Sequence, residues 1–315
     1  GVIQTLMGVV RLGFLVNFLS HPVLAGFTTA AALLIGSSQL KHLLGIRIPN
    51  LEFFELLHYA ATHLAETNWV TLALGGGGIF VLVYFRQVLG GQLRRWGTRP
   101  QRVLPITKAA PLVIVVFGTA LVWGLQLHER FGVAIVGPVP DGLPPLTLPL
   151  VDVAVWQQLL PTAVVISFVG YMESIAVAKS LASKRRQKVN ANQELLALGA
   201  ANIGAMFTGG YPVTGGLSRS VVNFEAGANS GLASMITAVL IALTVIFLTP
   251  VFYFLPQASL AAIVIVAVAG LIDVKTFRHV WRYNKADAAS FVVTFVAVLL
   301  VGVENGILLG VAVAM

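Results

Sequence analysis

Eight stretches of this sequence, at residues 22–45, 68–85, 109–125, 159–182, 194–207, 232–255, 257–272 and 288–303, stay apolar over a length that suits a membrane crossing. A spanning helix needs about 20 such residues at a rise of about 1.5 Å each. In lipid, only a helix or a closed barrel satisfies every backbone polar group. Runs of this length and number predict an all-α polytopic membrane protein. A further run begins at residue 306 and stops at Met315. Residues 1–18 are apolar but carry Gln4, Arg11 and Asn17, and read as the tail of an earlier helix bent over at the interface. With no initiator Met and no basic leader at Gly1, both ends read as cut, and a piece of a longer protein is expected.

Charge supports the membrane reading and excludes others. Only 10% of the residues are charged, against about 25% in a soluble domain. The net charge of +8 could suggest a nucleic-acid partner, but its distribution argues against one. Basic residues gather in three gaps between apolar runs, at 86–102, 184–188 and 275–285, none of which holds an acid. That is the pattern of cytoplasmic loops. The gaps assigned outside, 46–67 and 126–156, hold two basic residues, Arg47 and Arg130, against six acidic ones. Cysteine is absent, so there is no disulfide framework and no thiolate metal site. No nucleophile–base pair, paired carboxylates or metal spacing suggests an enzyme, and no cofactor is expected. The glycine run at 75–78 lacks the Lys-Ser/Thr of a phosphate loop and reads as close helix packing. Gln39, Asn192, Asn202 and Asn223 read as hydrogen-bonding residues between helices.

The basic gaps alternate correctly only if residues 208–229 cross the membrane once. The first half of that segment holds four glycines and Pro212, which disfavour a regular helix. Extended backbone at membrane depth is tolerated where protein buries it or where it lines a cavity. A helix can start at Ser218, since Gly215 and Gly216 permit the turn and serine is a favoured N-cap. From there to residue 229 is about 17 Å of helix, half of a hydrocarbon core about 30 Å thick. Its start therefore falls near the midplane, with unpaired N–H groups and the positive end of the helix dipole facing a cavity. Such a start is an anion site, and broken helices mark the binding sites of secondary transporters. Ser218 and Ser220 add hydroxyl donors, and Arg219 adds a full charge. The competing reading, a glycine-rich outer loop and a short surface helix, loses the topological closure.

Glu173 is the second candidate. It lies about 18 Å along the run from Pro161, where an ionisable side chain faces a partner or a watery path by default. It could pair with Arg219, titrate with a transported proton, help hold a sodium ion, or lock two helices together.

The elements MESIAVAK at 172–179 and GGLSRS at 215–220, with the flanking stretches 11–45, 168–223 and 255–311, resemble the sulfate permease (SulP) family of anion transporters. The resemblance implies fourteen helices in two inverted seven-helix repeats, with a core and a gate domain and a cytoplasmic STAS domain after them. On that map residues 1–315 run from the end of the fourth helix into the fourteenth, without the first three helices or the STAS domain. The family's anion sits between the third and tenth half-helices, and only the tenth is here. Ser218 matches the position whose hydroxyl and neighbouring backbone N–H groups contact the anion, so Gly216, Leu217, Ser218, Arg219 and Ser220 form the implied binding set. Arg219 matches the residue that supplies positive potential behind the anion, and Glu173 the carboxylate tied to ion coupling. Sodium-coupled bicarbonate members resemble an Asp here with a Thr four residues on. Glu173 followed by Val177 argues instead for proton coupling or exchange.

The expected function is secondary active transport of a small inorganic anion, sulfate or bicarbonate, by symport or antiport. The setting is a multi-pass position in a cell membrane, that of a bacterial inner membrane. The lipid bilayer is a partner, a homodimer is compatible with this reading, and no nucleic acid is involved. The alternatives are a nucleobase permease of the same fold and an anion-binding membrane scaffold that does not transport.

Overall fold

The computed structural model describes the chain except residues 18–20, 50, 98, 99, 141, 149–151, 217, 218, 221, 222, 225, 226, 273 and 315. The described residues form helices joined by turns, with a lone antiparallel bridge between Ile135 and Pro256. In chain order the helices are α1 (Val2–Val9), α2 (His21–Ser38), α3 (Leu40–Leu44), α4 (Phe53–Thr62), α5 (Trp69–Tyr84), α6 (Gly90–Arg95), α7 (Pro100–Lys108) and α8 (Ala110–Gly124). They continue as α9 (Leu127–Phe131), α10 (Val153–Arg185), α11 (Ala191–Phe207), α12 (Leu232–Phe247), α13 (Gln257–Ala269), α14 (Val274–Tyr283), α15 (Lys285–Val301) and α16 (Val303–Ala314). Among the described residues, Pro22–Leu44, Trp69–Arg95 and Val153–Lys179 are each long and apolar enough to span a membrane, and α8, α12 and α13 are shorter apolar helices.

Asparagine caps open several of these helices where the chain leaves a polar gap. Asn68 accepts from the Thr71 N–H at 3.0 Å, Asn190 from Asn192 and Gln193, and Asn284 from Ala286 and Asp287. Each side chain satisfies a donor that the first turn leaves unpaired.

The basic gaps differ from their reading as plain loops. Residues 275–285 lie mostly in α14, and residues 86–102 pass through a π-helical turn at Phe85–Leu89 into α6 and α7. Hydropathy measures immersion in lipid and not helicity, so a helix that leaves the membrane goes undetected. The N-terminal tail is helical at Val2–Val9 and turns at Arg11 (φ 63°) from α1 into a 3-10 segment, Leu12–Asn17.

The chain folds as two compact units. The first combines Gly1–His21, Gly142–Ile246 and the final residues, and the second combines Pro22–Asp141 with Phe247–Val313. Within the first, α1 packs on α11 at glycine contacts. A Cβ on Gly199 would overlap Thr5, and one on Gly8 would meet Leu196 at 2.8 Å. The core face of α10 is Tyr171, Met172 and Ile175, all nearly fully buried.

Within the second unit α13 supplies small residues, Ala258, Ser259, Ala261 and Ala262, to α5 and α8. A Cβ on Gly78 would stand 3.1 Å from that of Ala262, and one on Gly118 would stand 2.6 Å from the Ser259 hydroxyl. Half of the 75–78 run therefore serves close packing, while Gly76 and Gly77 face open space. Gly78→Val should lower stability by about 1–3 kcal/mol through overpacking, whereas Gly77→Ala should raise it by up to about 1 kcal/mol through helix propensity. Thermal melting of the purified variants reads both effects.

Candidate anion site in the first unit

After α11, residues 210 to 216 form neither helix nor strand, and side chains supply partners for their backbone. The Val213 N–H donates to Asn202 Oδ1 at 2.8 Å, and the Val213 carbonyl accepts from Asn202 Nδ2 at 3.0 Å. That amide nitrogen also reaches Gln4 Oε1 at 3.0 Å, and Gln4 Nε2 donates to the Ser167 carbonyl at 3.2 Å. One buried chain of amides thus ties α11, α1, α10 and this segment together. In lipid these backbone groups have no water to turn to, so their pairing is obligatory.

The next residues dock on α10. Thr214 Oγ1 donates to the Gly170 carbonyl at 2.7 Å, and the Gly215 N–H donates to Ser174 Oγ at 2.7 Å. A Cβ on Gly215 would lie 2.8 Å from that hydroxyl and 3.1 Å from the Ser174 Cα, so glycine permits the approach. Immediately afterwards the Ser220 N–H donates to the Gly216 carbonyl at 3.1 Å, the first described helical bond. That bond puts Ser220 in a helical turn, and the Ser218 cap expected from the sequence lies outside the described residues.

The far end is equally defined. The Ala228 N–H donates to the Asn223 carbonyl and the Gly227 N–H to that of Phe224, with Gly227 at φ 87°. This paired closure around a left-handed glycine ends a helix. Arg185 at the end of α10 donates to the Ala228 carbonyl at 2.9 Å, with its guanidinium 4.7 Å from the centre of the Phe224 ring. A cation at a helix C-terminus also suits the dipole. Between these ends, Arg219, Ser220, Asn223 and Phe224 are the described helical residues.

The polar residues expected at the site fall in this unit. Arg219 is exposed and curls back, so that a Cβ on Gly216 would stand 3.3 Å from its guanidinium. Ser220 and Gly216 are half-buried, while Leu217 and Ser218 lie outside the described residues. Glu173 is exposed on α10, although its neighbours Met172 and Ser174 are buried. Its charge and that of Arg219 act on one another, yet the ion pair within 4 Å among the described residues is a different one, His128–Glu129. Glu173 and Arg219 are thus electrostatic neighbours without a closed salt bridge, which leaves each free to take another partner.

Sequence reasoning missed Arg185, Ser174 and Thr214. Arg185 looked like one more cation in a basic gap, and the two hydroxyl residues carry no pattern of their own.

Comparison with known proteins decides the family. Residues 1–294 match the model of the sulfate permease family. The chain belongs to the sulfate permease family. It is 36% identical over 313 residues to the probable sulfate transporter 4.2 of Arabidopsis thaliana, covering 99% of this chain and 44% of that protein. It is 35% identical over 334 residues to the sodium-independent sulfate anion transporter of Bos taurus, covering 98% of this chain and 54% of the relative. Among solved structures, the murine Solute Carrier 26 family member A9 anion transporter in its inward-facing state superposes with a TM-score of 0.87 at 27% identity, over 99% of this chain and 50% of that one. The chain spans about half the length of these relatives. Sulfate permease relatives are membrane transporters and not enzymes, and their all-α polytopic fold is the one described above.

Proposed function

We propose that this sulfate permease chain is part of a secondary transporter for small inorganic anions of the sulfate or bicarbonate class, in a cell membrane. The anion binds at the helix start between Gly216 and Ser220, among Gly216, Leu217, Ser218, Arg219 and Ser220. The observation that carries this reading is the construction of the segment. A non-helical stretch held by Asn202, by Ser174 and by the Gly170 carbonyl brings the Gly216–Ser220 turn and a curled-back Arg219 to one spot. Backbone donors, helix dipole and guanidinium there act together on an anion. The same positive charge disfavours a neutral nucleobase. Transport in this reading is an elevator-like shift of a core domain against a gate domain.

Glu173 is the coupling group. An exposed carboxylate on a membrane helix, electrostatically linked to Arg219 but not paired with it, can take up a proton as the anion binds. The name of the bovine relative fits coupling that does not need sodium.

The test is uptake of labelled sulfate and bicarbonate by the full-length protein in proteoliposomes. An inward proton gradient should stimulate uptake or, in an exchanger, an opposing anion gradient should. In a proton-coupled carrier, Glu173→Gln should abolish the response to pH while leaving anion-for-anion exchange. Uptake driven by sodium and indifferent to pH would overturn the coupling assignment. Anion binding with no flux under any gradient would overturn transport itself.

A further inference from the structure

The helix α14 has no part in the anion site, yet its sequence VKTFRHVWRY separates two faces sharply. At 100° per residue, Arg278, His279 and Arg282 share one arc, and Val274, Phe277, Val280 and Trp281 share the opposite one. Part of the apolar arc holds the helix down. Val280 is buried, and the Phe277 ring stands 5.2 Å from that of Phe291 on α15. The rest of that arc is uncovered, with Trp281 61% exposed and Val274 56% exposed, beside Tyr283 at 75%.

Along the basic edge Val274, Arg278, His279, Arg282 and Tyr283 line an open groove of about 370 Å³. His279 and Tyr283 face each other across its end with ring centres 4.7 Å apart. No described carboxylate lies within 4 Å of Arg278 or Arg282, and the nearby Asp287 accepts from Asn284. A second basic segment meets the same end of this unit. A Cβ on Gly270, just before α14, would stand 3.2 Å from the guanidinium of Arg86. Two acid-free gaps therefore converge where the chain leaves the membrane.

We propose that α14 lies in the membrane interface and binds the phosphate of an anionic phospholipid in the Arg278–Arg282 groove. Trp281 and Val274 enter the acyl boundary beside it. Exposed tryptophan next to arginine is the composition of an interfacial helix. Two unpaired guanidiniums match a phosphodiester, and the acid-free gaps put the site in the leaflet rich in anionic lipid. The bound lipid would hold the second unit at a fixed depth. Neither Glu173 nor Arg219 takes part, so loss of anion uptake and loss of lipid preference are separable.

Trp281 reports on its own site. The purified protein is reconstituted with brominated phosphatidylglycerol or brominated phosphatidylcholine, and the Trp281→Phe variant isolates this residue from the other tryptophans. Brominated phosphatidylglycerol should quench Trp281 preferentially. Arg278→Gln and Arg282→Gln should each reduce that preference by about fivefold. The paired Arg→Lys changes should retain most of it, and as exposed substitutions they keep the fold. Equal quenching by both lipids would overturn the proposal. So would a preference that survives both Gln changes, or one that inorganic phosphate abolishes, which would mark a site for free anions.

Discussion

Arg219→Ala should weaken anion binding by about 10- to 100-fold, the effect of removing one charge-assisted contact worth about 1.5–3 kcal/mol. Its side chain is exposed and rests over Gly216, so truncation removes charge without opening a core. The loss should appear as a raised KM for sulfate uptake and a matching fall in affinity by calorimetry. Arg219→Lys should fall between, because it keeps the charge and loses the planar fork. The melting temperature should stay unchanged in both variants. That separates loss of a ligand contact from loss of structure.

Asn202→Leu should act in the opposite way, through structure first. It strips both hydrogen bonds from the Val213 peptide and leaves the Gln4 amide without that partner. Each polar group left unpaired in a buried place costs about 1–3 kcal/mol. A destabilisation of about 3 kcal/mol or more is expected, read as a fall of about 5–10 °C in melting temperature. Anion affinity should fall as well, although Asn202 is placed to hold Val213 and not the ligand, because the segment around Val213 would no longer hold Gly216 and Arg219 in their positions. Gln4→Ala is the control. It breaks the links to Asn202 and Ser167 but leaves the Val213 bonds, so it should cost less and spare affinity more.

These two residues show what could be read in advance. Arg219 stood out because a charge inside an expected membrane crossing needs a reason, and the glycines before it disfavour a regular helix. The spanning helices were legible for the same reason that lipid is a severe solvent, since every apolar run must become a helix. Glu173 stood out as an isolated charge in such a run. Asn202 was legible only as a hydrogen-bonding residue, because its partner lies eleven positions on in an irregular stretch that no periodicity reveals. Helix α14 was hidden by its own charges, because hydropathy marked it as a gap and only its faces betray a helix. Arg185 was invisible among neighbouring cations until Ala228 and Phe224 appeared beside it.

We place the anion at the Gly216–Ser220 turn in the first unit. Selenate, a sulfate analogue with a strong anomalous signal, locates it directly in crystals of the full-length protein. The account predicts an anomalous peak between the Gly216–Ser220 turn and the Arg219 guanidinium, and its disappearance in Arg219→Ala. A selenate peak bound elsewhere in the protein, with none at that turn, would contradict it.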